Sequence, residues 1–271
     1  MEINIRILGC GAAAGVPMIS SGWGACNPEN PKNNRLRSSI YANVDGVGLL
    51  FDTSPDLREQ LLRMNMEVSA ADLTGGKSRI DAVVYTHLHA DHTDGVNELR
   101  EINKINNAVL PIYADKPTMK SIEERFWYAF EPIDLATTPL YHVILEKNII
   151  KPYCPFTVKG IEIGPFLQGH GYMDTLGFRI GDFAYSTDAV SLDEKALDTL
   201  FGVKVWVVGC LDYGYHPTHA GVEQVLKWYE IVKPEKIILT HMGNHLDYDE
   251  LCAKLPENIR PAYDGMEIKI G

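Results

Sequence analysis

Short apolar runs and amphipathic segments take turns along this chain, and their periods set the elements. Ile3, Ile5 and Ile7 alternate with polar neighbours, so Ile3–Leu8 is expected to be a strand. The glycine-rich turn Gly9–Pro17 follows it. The next segment, Met18–Asn34, is rich in Gly, Pro, Asn and Ser and cannot open a helix, so this is a loop rather than a phosphate cradle. Arg35–Tyr41 leads through the turn Val44-Asp45-Gly46-Val47 into a returning strand, Gly48–Asp52. Ser54 as N-cap and Pro55 at the first helical position announce a helix whose periodicity runs over Leu57–Met66. Asp81–Tyr85 is a β-favouring apolar run.

Helices are expected over Val96–Ile105 and Pro117–Phe130, with the strand Val109–Tyr113 between them. Periodicity then fades: Glu131–Pro155 contains Pro132, Pro139, Pro152 and Pro155 and reads as an irregular insertion. Two hairpins follow, about Lys159-Gly160 and Gly181-Asp182. Helix Leu192–Leu200, strand Val203–Val208, helix Thr218–Ile231 with Thr218 as cap, strand Lys236–Leu239, helix Tyr248–Leu255 and strand Met266–Ile270 complete the chain. Strands and helices interleave without a linker or repeat, which predicts one α/β domain over residues 1–271.

Composition narrows the partners. With 36 acidic against 25 basic residues, the formal net charge is −11, which disfavours an extended nucleic acid, whose binding rests on many Lys and Arg contacts to phosphate. A small phosphate ester stays open, because metal ions supply local positive charge that the net charge does not report. The five cysteines, Cys10, Cys26, Cys154, Cys210 and Cys252, are scattered and never spaced as Cys-x-x-Cys, so a reducing cytoplasm is expected rather than a disulfide framework. The N-terminus has no signal-peptide form and no apolar run approaches membrane-spanning length.

The chemistry concentrates where the run Asp81–Tyr85 stops. His87, His89, Asp91 and His92 fall within six residues, just past the strand end. His87 and His89, two apart, point the same way in extended chain. Three imidazoles and a carboxylate at this spacing suit zinc, manganese or iron. The segment Val83–His92 resembles the His-x-His-x-Asp-His motif of the metallo-β-lactamase superfamily. That resemblance implies a four-layer αββα sandwich of mixed sheets holding two divalent metal ions. Its missing ligands have matches just past three expected strands: His170, Asp188 and His241. By the resemblance, His87, His89 and His170 hold one metal, Asp91, His92 and His241 the other, and Asp188 bridges them. Asp52 resembles an early motif aspartate of the family, which implies that it orients a ligand histidine or a loop. His142, inside Leu140–Leu145, is the rival for third ligand, and His245 reads as a surface or orienting residue.

Leu8-Gly9-Cys10-Gly11 with Gly15-Val16-Pro17, Arg35-Leu36-Arg37-Ser38-Ser39 and His216-Pro217-Thr218-His219 resemble the PhnP-like cyclic phosphodiesterases, relatives of RNase Z. This implies attack of a metal-bridging hydroxide on a small cyclic phosphate or nucleotide, with Asp91 and His219 as catalytic residues. His219 is expected to bind a phosphoryl oxygen or to protonate the leaving group near its natural pKa. Arg35 and Arg37 are candidates for steering phosphate. Members of that branch hold a further structural zinc; Trp23, the lone Cys26 and Asn244 stand at the corresponding places here. RNase Z recruits tRNA through a basic arm, for which the sequence has no match. A homodimer is compatible with the resemblance. A lactonase or thioesterase of the same fold, or a PqqB-like metal-binding accessory protein, are the alternatives. The aromatic group Phe126, Trp127, Tyr128 and Phe130 is expected in the core rather than as a base-stacking platform.

Overall fold

The structure, a computed structural model, describes residues 1–65, 80–131 and 142–271. Two seven-stranded sheets form its centre. The first contains β1 (Ile3–Gly9), β2 (Ser39–Val44), β3 (Val47–Phe51), β4 (Ala82–Val84), β5 (Leu110–Ala114), β6 (Leu145–Ile149) and β14 (Glu267–Ile270) in the order β14-β1-β2-β3-β4-β5-β6. The second contains β7 (Phe156–Val158), β8 (Ile161–His170), β9 (Met173–Ile180), β10 (Phe183–Ser186), β11 (Val205–Gly209), β12 (Lys236–Thr240) and β13 (Ile259–Pro261) in the order β13-β12-β11-β10-β9-β8-β7. Each sheet begins as an antiparallel meander and continues as a parallel run, β3 to β6 in one and β10 to β13 in the other.

The turns follow the residues. Asp45-Gly46 and Lys159-Gly160 take positive φ at both positions, as a two-residue hairpin turn requires. Strands facing the partner sheet are apolar on that side, and the parallel strands β4 and β11 are buried throughout, as sheets covered on both faces must be. Ile5, Ile7, Phe51 and Val84 meet Phe166, Phe178, Tyr185 and Val207 between the sheets. The outer face of the first sheet is covered by α1 (Leu57–Asn65), α3 (Leu99–Asn106) and α4 (Lys116–Arg125), through Leu57, Leu61, Leu99, Ile102, Met119 and Ile122. The second sheet is covered by α5 (Glu194–Leu200), α6 (Val222–Val232) and α7 (Tyr248–Lys254), where Trp228 of α6 packs on Trp206 of β11. Between α1 and α3 lies a single helical turn, α2 (Ala90–Thr93). The result is the expected αββα sandwich.

Four elements differ from expectation. The stretch 131–155 contains the edge strand β6, which pairs in parallel with β5; residues 132–141 lie outside the described residues, as does Met66 of the expected first helix. Strand β13 was too short for its pattern to register. Helix α1 begins at Leu57, with Ser54 Oγ accepting from the Asp56 amide. Thr218 does not cap a helix: α6 starts at Val222, and residues 216–220 form a loop in which His216 Nδ1 accepts from the Thr218 amide. Phe126, Tyr128 and Phe130 pack against the helix-side core, while Trp127 is exposed. Among the described residues no helix is long and apolar enough to cross a membrane.

Arg35 is not a phosphate-steering residue. It is fully buried, and its guanidinium donates to the carbonyls of Gly243 and Leu246 at 3.0 and 2.6 Å and to Asn33 Oδ1 at 3.2 Å. It thereby ties the early loop to the segment after β12. Asn244 adds bonds to Ser21 Oγ and the Gly22 carbonyl. Arg37 is likewise engaged, pairing with Asp56 at 2.9 Å. Replacing Arg35 by Met keeps the volume but leaves buried carbonyls without donors, and is expected to cost about 2–4 kcal/mol of stability. Urea unfolding of the metal-free protein measures this; a loss below about 0.5 kcal/mol, the scale of an ordinary surface change, would show that the brace is dispensable.

Candidate metal centre

The polar residues gather where the strand ends of the two sheets meet. Asp52 follows β3, His87–His92 follow β4, His170 ends β8, Asp188 follows β10 and His241 follows β12. Crevices at the carboxyl ends of parallel strands are where side chains from distant parts of a chain can converge. Here they form two groups that share one carboxylate: His87, His89, His170 and Asp188, and Asp91, His92, His241 and Asp188. Within each group the ligand atoms lie within 4.8 Å of one another.

Asp188 divides its two oxygens between them. Oδ2 lies 3.6 Å from His87 Nε2 and 3.8 Å from His170 Nε2. Oδ1 lies 3.3 Å from His92 Nε2 and 3.1 Å from His241 Nε2. Asp91 Oδ2 completes the second group at 3.2 Å from His92 Nε2 and 3.5 Å from His241 Nε2. His89 turns its other nitrogen inward, with Nδ1 at 3.0 Å from His87 Nε2.

Most of these imidazoles are held from behind. Asp52, fully buried, accepts from the Thr86 amide at 2.8 Å, from the Thr86 hydroxyl at 2.9 Å and from His92 Nδ1 at 2.8 Å. The Thr86 proton is thus committed to Asp52, and its oxygen accepts from His87 Nδ1 at 3.0 Å. His170 Nδ1 donates to the Thr218 carbonyl at 2.7 Å. His89 Nε2 meets the Tyr172 hydroxyl at 3.1 Å. Such partners fix tautomer and ring angle, and leave the inward nitrogen with a free lone pair. Sequence reasoning found Asp52 but missed Thr86, Thr218 and Tyr172. Thr86 stood beside the motif; nothing in the chain marked the other two.

The donors fit a cation. His92 Nε2 is buried without a hydrogen-bond partner and faces two carboxylates. Burial pulls the His92 pKa down, yet Asp91, Asp188 and Asp52 more than offset this and hold it well above the ordinary value. Burial pushes Asp188 upward, but His241, His92 and His87 hold it well below the carboxylate range; His92 and His241 do the same for Asp91. His87, by contrast, is driven well below its ordinary value, by burial and then by His92. Without an ion, His92 is the group that carries positive charge between these carboxylates; a divalent metal supplies that charge and takes up the inward nitrogens.

His219 lies beside the centre and outside both groups. Its ring stacks on His241 at 4.9 Å between centroids, and its Nδ1 is 3.9 Å from Asp188 Oδ2. Burial, with His241, His170 and His216 nearby, pushes its pKa down to about 3 against the pull of Asp188. It is therefore a neutral N–H donor at physiological pH, not an acid near its natural pKa. His142 bonds the Val143 carbonyl and belongs to neither group, and His245 forms an exposed pair with Asp212.

A cluster of histidines and aspartates at the shared edge of an αββα sandwich defines a divalent-metal-binding protein of the metallo-hydrolase type. Residues 48–242 match the family model described as the beta-lactamase superfamily domain. The chain belongs to the metallo-β-lactamase superfamily, and its relatives include PhnP-like proteins. It is similar to a crystal structure of a new diphosphatase from the PhnP family, at 30% identity and a TM-score of 0.87, covering 100% of this chain and 98% of that one. Zinc-bound PqqB from Methylobacterium extorquens shares the fold, at 17% identity and a TM-score of 0.74 over 98% of this chain and 100% of that one. An octanoyltransferase of Porphyromonas gingivalis strain W83 is 31% identical over 265 residues, 96% of this chain. The chain spans about half the length of that curated relative, 50%.

Asp52→Ala is expected to weaken metal binding by roughly 10–100-fold, the usual effect of removing a partner that holds a ligand histidine. Calorimetric titration of the folded, metal-depleted protein checks it. Unaltered affinity would show that His92 does not depend on Asp52 for its orientation.

Proposed function

We propose that this chain is a dinuclear-metal-dependent hydrolase of small phosphate esters: phosphodiesters of cyclic or nucleotide type, or diphosphates. The observation that carries the reading is His219, an imidazole placed beside the cluster without belonging to either ligand group. A metal site alone serves many hydrolases; a donor next to it suits a phosphoryl group, which has an oxygen left over after metal contacts. The similarity to a PhnP-family diphosphatase over the whole chain supports the same class. The net charge of −11 favours small substrates over long polyanions.

In this reading His87, His89 and His170 would hold one ion and Asp91, His92 and His241 the other, with Asp188, which belongs to both groups, shared between them. When bound, such a pair lowers the pKa of water to supply a nucleophile and neutralises phosphoryl charge. Asp52 and Thr86 keep His92 and His87 turned inward, so the donors need no rearrangement on binding. His219 donates its N–H to a non-bridging phosphoryl oxygen and gives up no proton to the leaving group. Its neighbour loop, braced by the bond from His170 to the Thr218 carbonyl, fixes its place.

A thioesterase or lactonase is the second reading, favoured by the name of the Porphyromonas gingivalis relative. The match covers 50% of that relative, and we assign the acyl transfer in its name to the part beyond the match. The purified protein with manganese or zinc, assayed on bis(p-nitrophenyl) phosphate, a cyclic nucleotide, a nucleoside diphosphate sugar and an acyl thioester, separates the readings. Turnover of the thioester alone would overturn ours.

Metal analysis after mild dialysis is expected to give two ions per chain in the native protein and to fall in Asp188→Ala. A stoichiometry fixed at one under added metal would exclude the dinuclear reading. His219→Ala is expected to keep its metal and to lose roughly 10²–10³-fold in kcat, as for removal of one transition-state donor. Because the role is donation rather than acid catalysis, the loss should be similar for p-nitrophenolate and alkoxide leaving groups. A loss confined to alkoxide substrates would restore the acid role.

A further inference from the structure

Two recesses flank the cluster, and they differ in chemistry. Beside His219 is a crevice of about 160 Å³ lined by polar groups that include His216, Gln224 and Lys227. Beside His89 is a second cavity, of about 600 Å³. Its walls are largely apolar, from Leu88, Leu167, Met173, Leu176 and two prolines; among the described residues its charged lining groups are the carboxylates Asp115 and Asp174, with no Lys or Arg. That size is ordinary for a small-molecule subsite.

Tyr172 stands at the boundary of this cavity and the cluster. It is 79% exposed, yet it is tethered: its hydroxyl bonds His89 Nε2 at 3.1 Å, and its ring centroid lies 6.3 Å from that of His89 and 6.4 Å from that of His170. It sits on the tight turn between β8 and β9. There Gly171 has φ +74°, and a Cβ on it would come within 2.6 Å of Thr218 Cγ2, so the turn is pressed against the loop that bears His219. The turn cannot swing away without breaking this contact. An aromatic face held rigidly in solvent next to a ligand histidine loses little entropy when a flat ring covers it.

We propose that the cavity beside His89 is the subsite for the organic group of the substrate, that this group is a nucleoside, and that Tyr172 is its specificity-determining wall. This rests on the phosphoester reading above. The base stacks on the Tyr172 ring, and the sugar hydroxyls donate to Asp115 or Asp174. The same carboxylates repel a second phosphate from this flank. The substrate is thereby oriented with its uncharged end at Tyr172 and its phosphoryl group between the metal ligands and His219.

The test compares two substrates with a common leaving group, thymidine 5′-(p-nitrophenyl phosphate) and methyl p-nitrophenyl phosphate, on the metal-loaded protein. Wild type is expected to prefer the thymidine ester in kcat/KM on the order of tenfold or more, the worth of one base–aromatic stack. In Tyr172→Ala the ratio is expected to fall to near one through KM. Tyr172→Phe, which keeps the ring and loses the tether, is expected to retain most of it. Metal content measured on each variant separates a lost wall from a lost ion, and a 3′-phosphate on the thymidine is expected to lower kcat/KM. Equal rates on the two esters in wild type, a preference that survives Tyr172→Ala, or a gain from the 3′-phosphate would each overturn the proposal while leaving the phosphoester reading intact. Hydrolysis of neither ester, with turnover of an acyl thioester, would instead sink the reading on which it rests.

Discussion

The site is organised by one buried carboxylate. Asp188 is almost fully enclosed, and each of its oxygens faces a different set of imidazoles. A carboxylate in such a place stays ionised only if positive charge or several donors surround it, since desolvation alone would protonate it. The histidines that do so come from β8, from the turn after β4 and from the end of β12. Both sheets must therefore be in register before any of them arrives. The geometry of the centre and the packing of the sandwich are consequences of each other.

The backbone records the same constraint. Asp52, Asp188 and His241 all take positive φ, at 63°, 49° and 53°. Each stands directly after a strand, or one residue beyond it, where the chain must leave the sheet and present a side chain at its edge. A non-glycine residue in the left-handed region costs roughly 1–2 kcal/mol, and a glycine would relieve it. These positions keep Asp and His because their side chains are needed: Asp52 to accept three hydrogen bonds, Asp188 to span two groups, His241 to face Asp188 and Asp91. Strain of this kind persists where the surroundings over-determine the conformation.

Arg35 shows how a plausible electrostatic guess meets a packing fact. A guanidinium near a phosphoester site invites a role in binding anions. Here its two Nη groups donate to Gly243, Leu246 and Asn33, holding a loop that would otherwise leave buried carbonyls unpaired. The two arginines that were candidates for steering phosphate are thus engaged within the structure. His219 went the other way: it stands in a loop rather than in the expected helix, and its contacts with His241 and Asp188 put it beside the cluster.

Legible in the residues alone were the candidate metal-ligand stretch His87–His92, the placing of His170, Asp188 and His241 just past or at the end of strands, and most of the elements. These follow from local rules: period, turn residues, and ligands close together in the chain. Strand β6 escaped because an edge strand needs little apolar alternation. Only the fold shows which oxygen of Asp188 faces which group, that Thr218 and Tyr172 brace His170 and His89, that burial lowers the His219 pKa, and that Arg35 is a brace. Each depends on contacts between segments tens to hundreds of residues apart. Such contacts leave no periodic trace in the chain, because they are fixed by the packing of whole sheets rather than by the residues next to them.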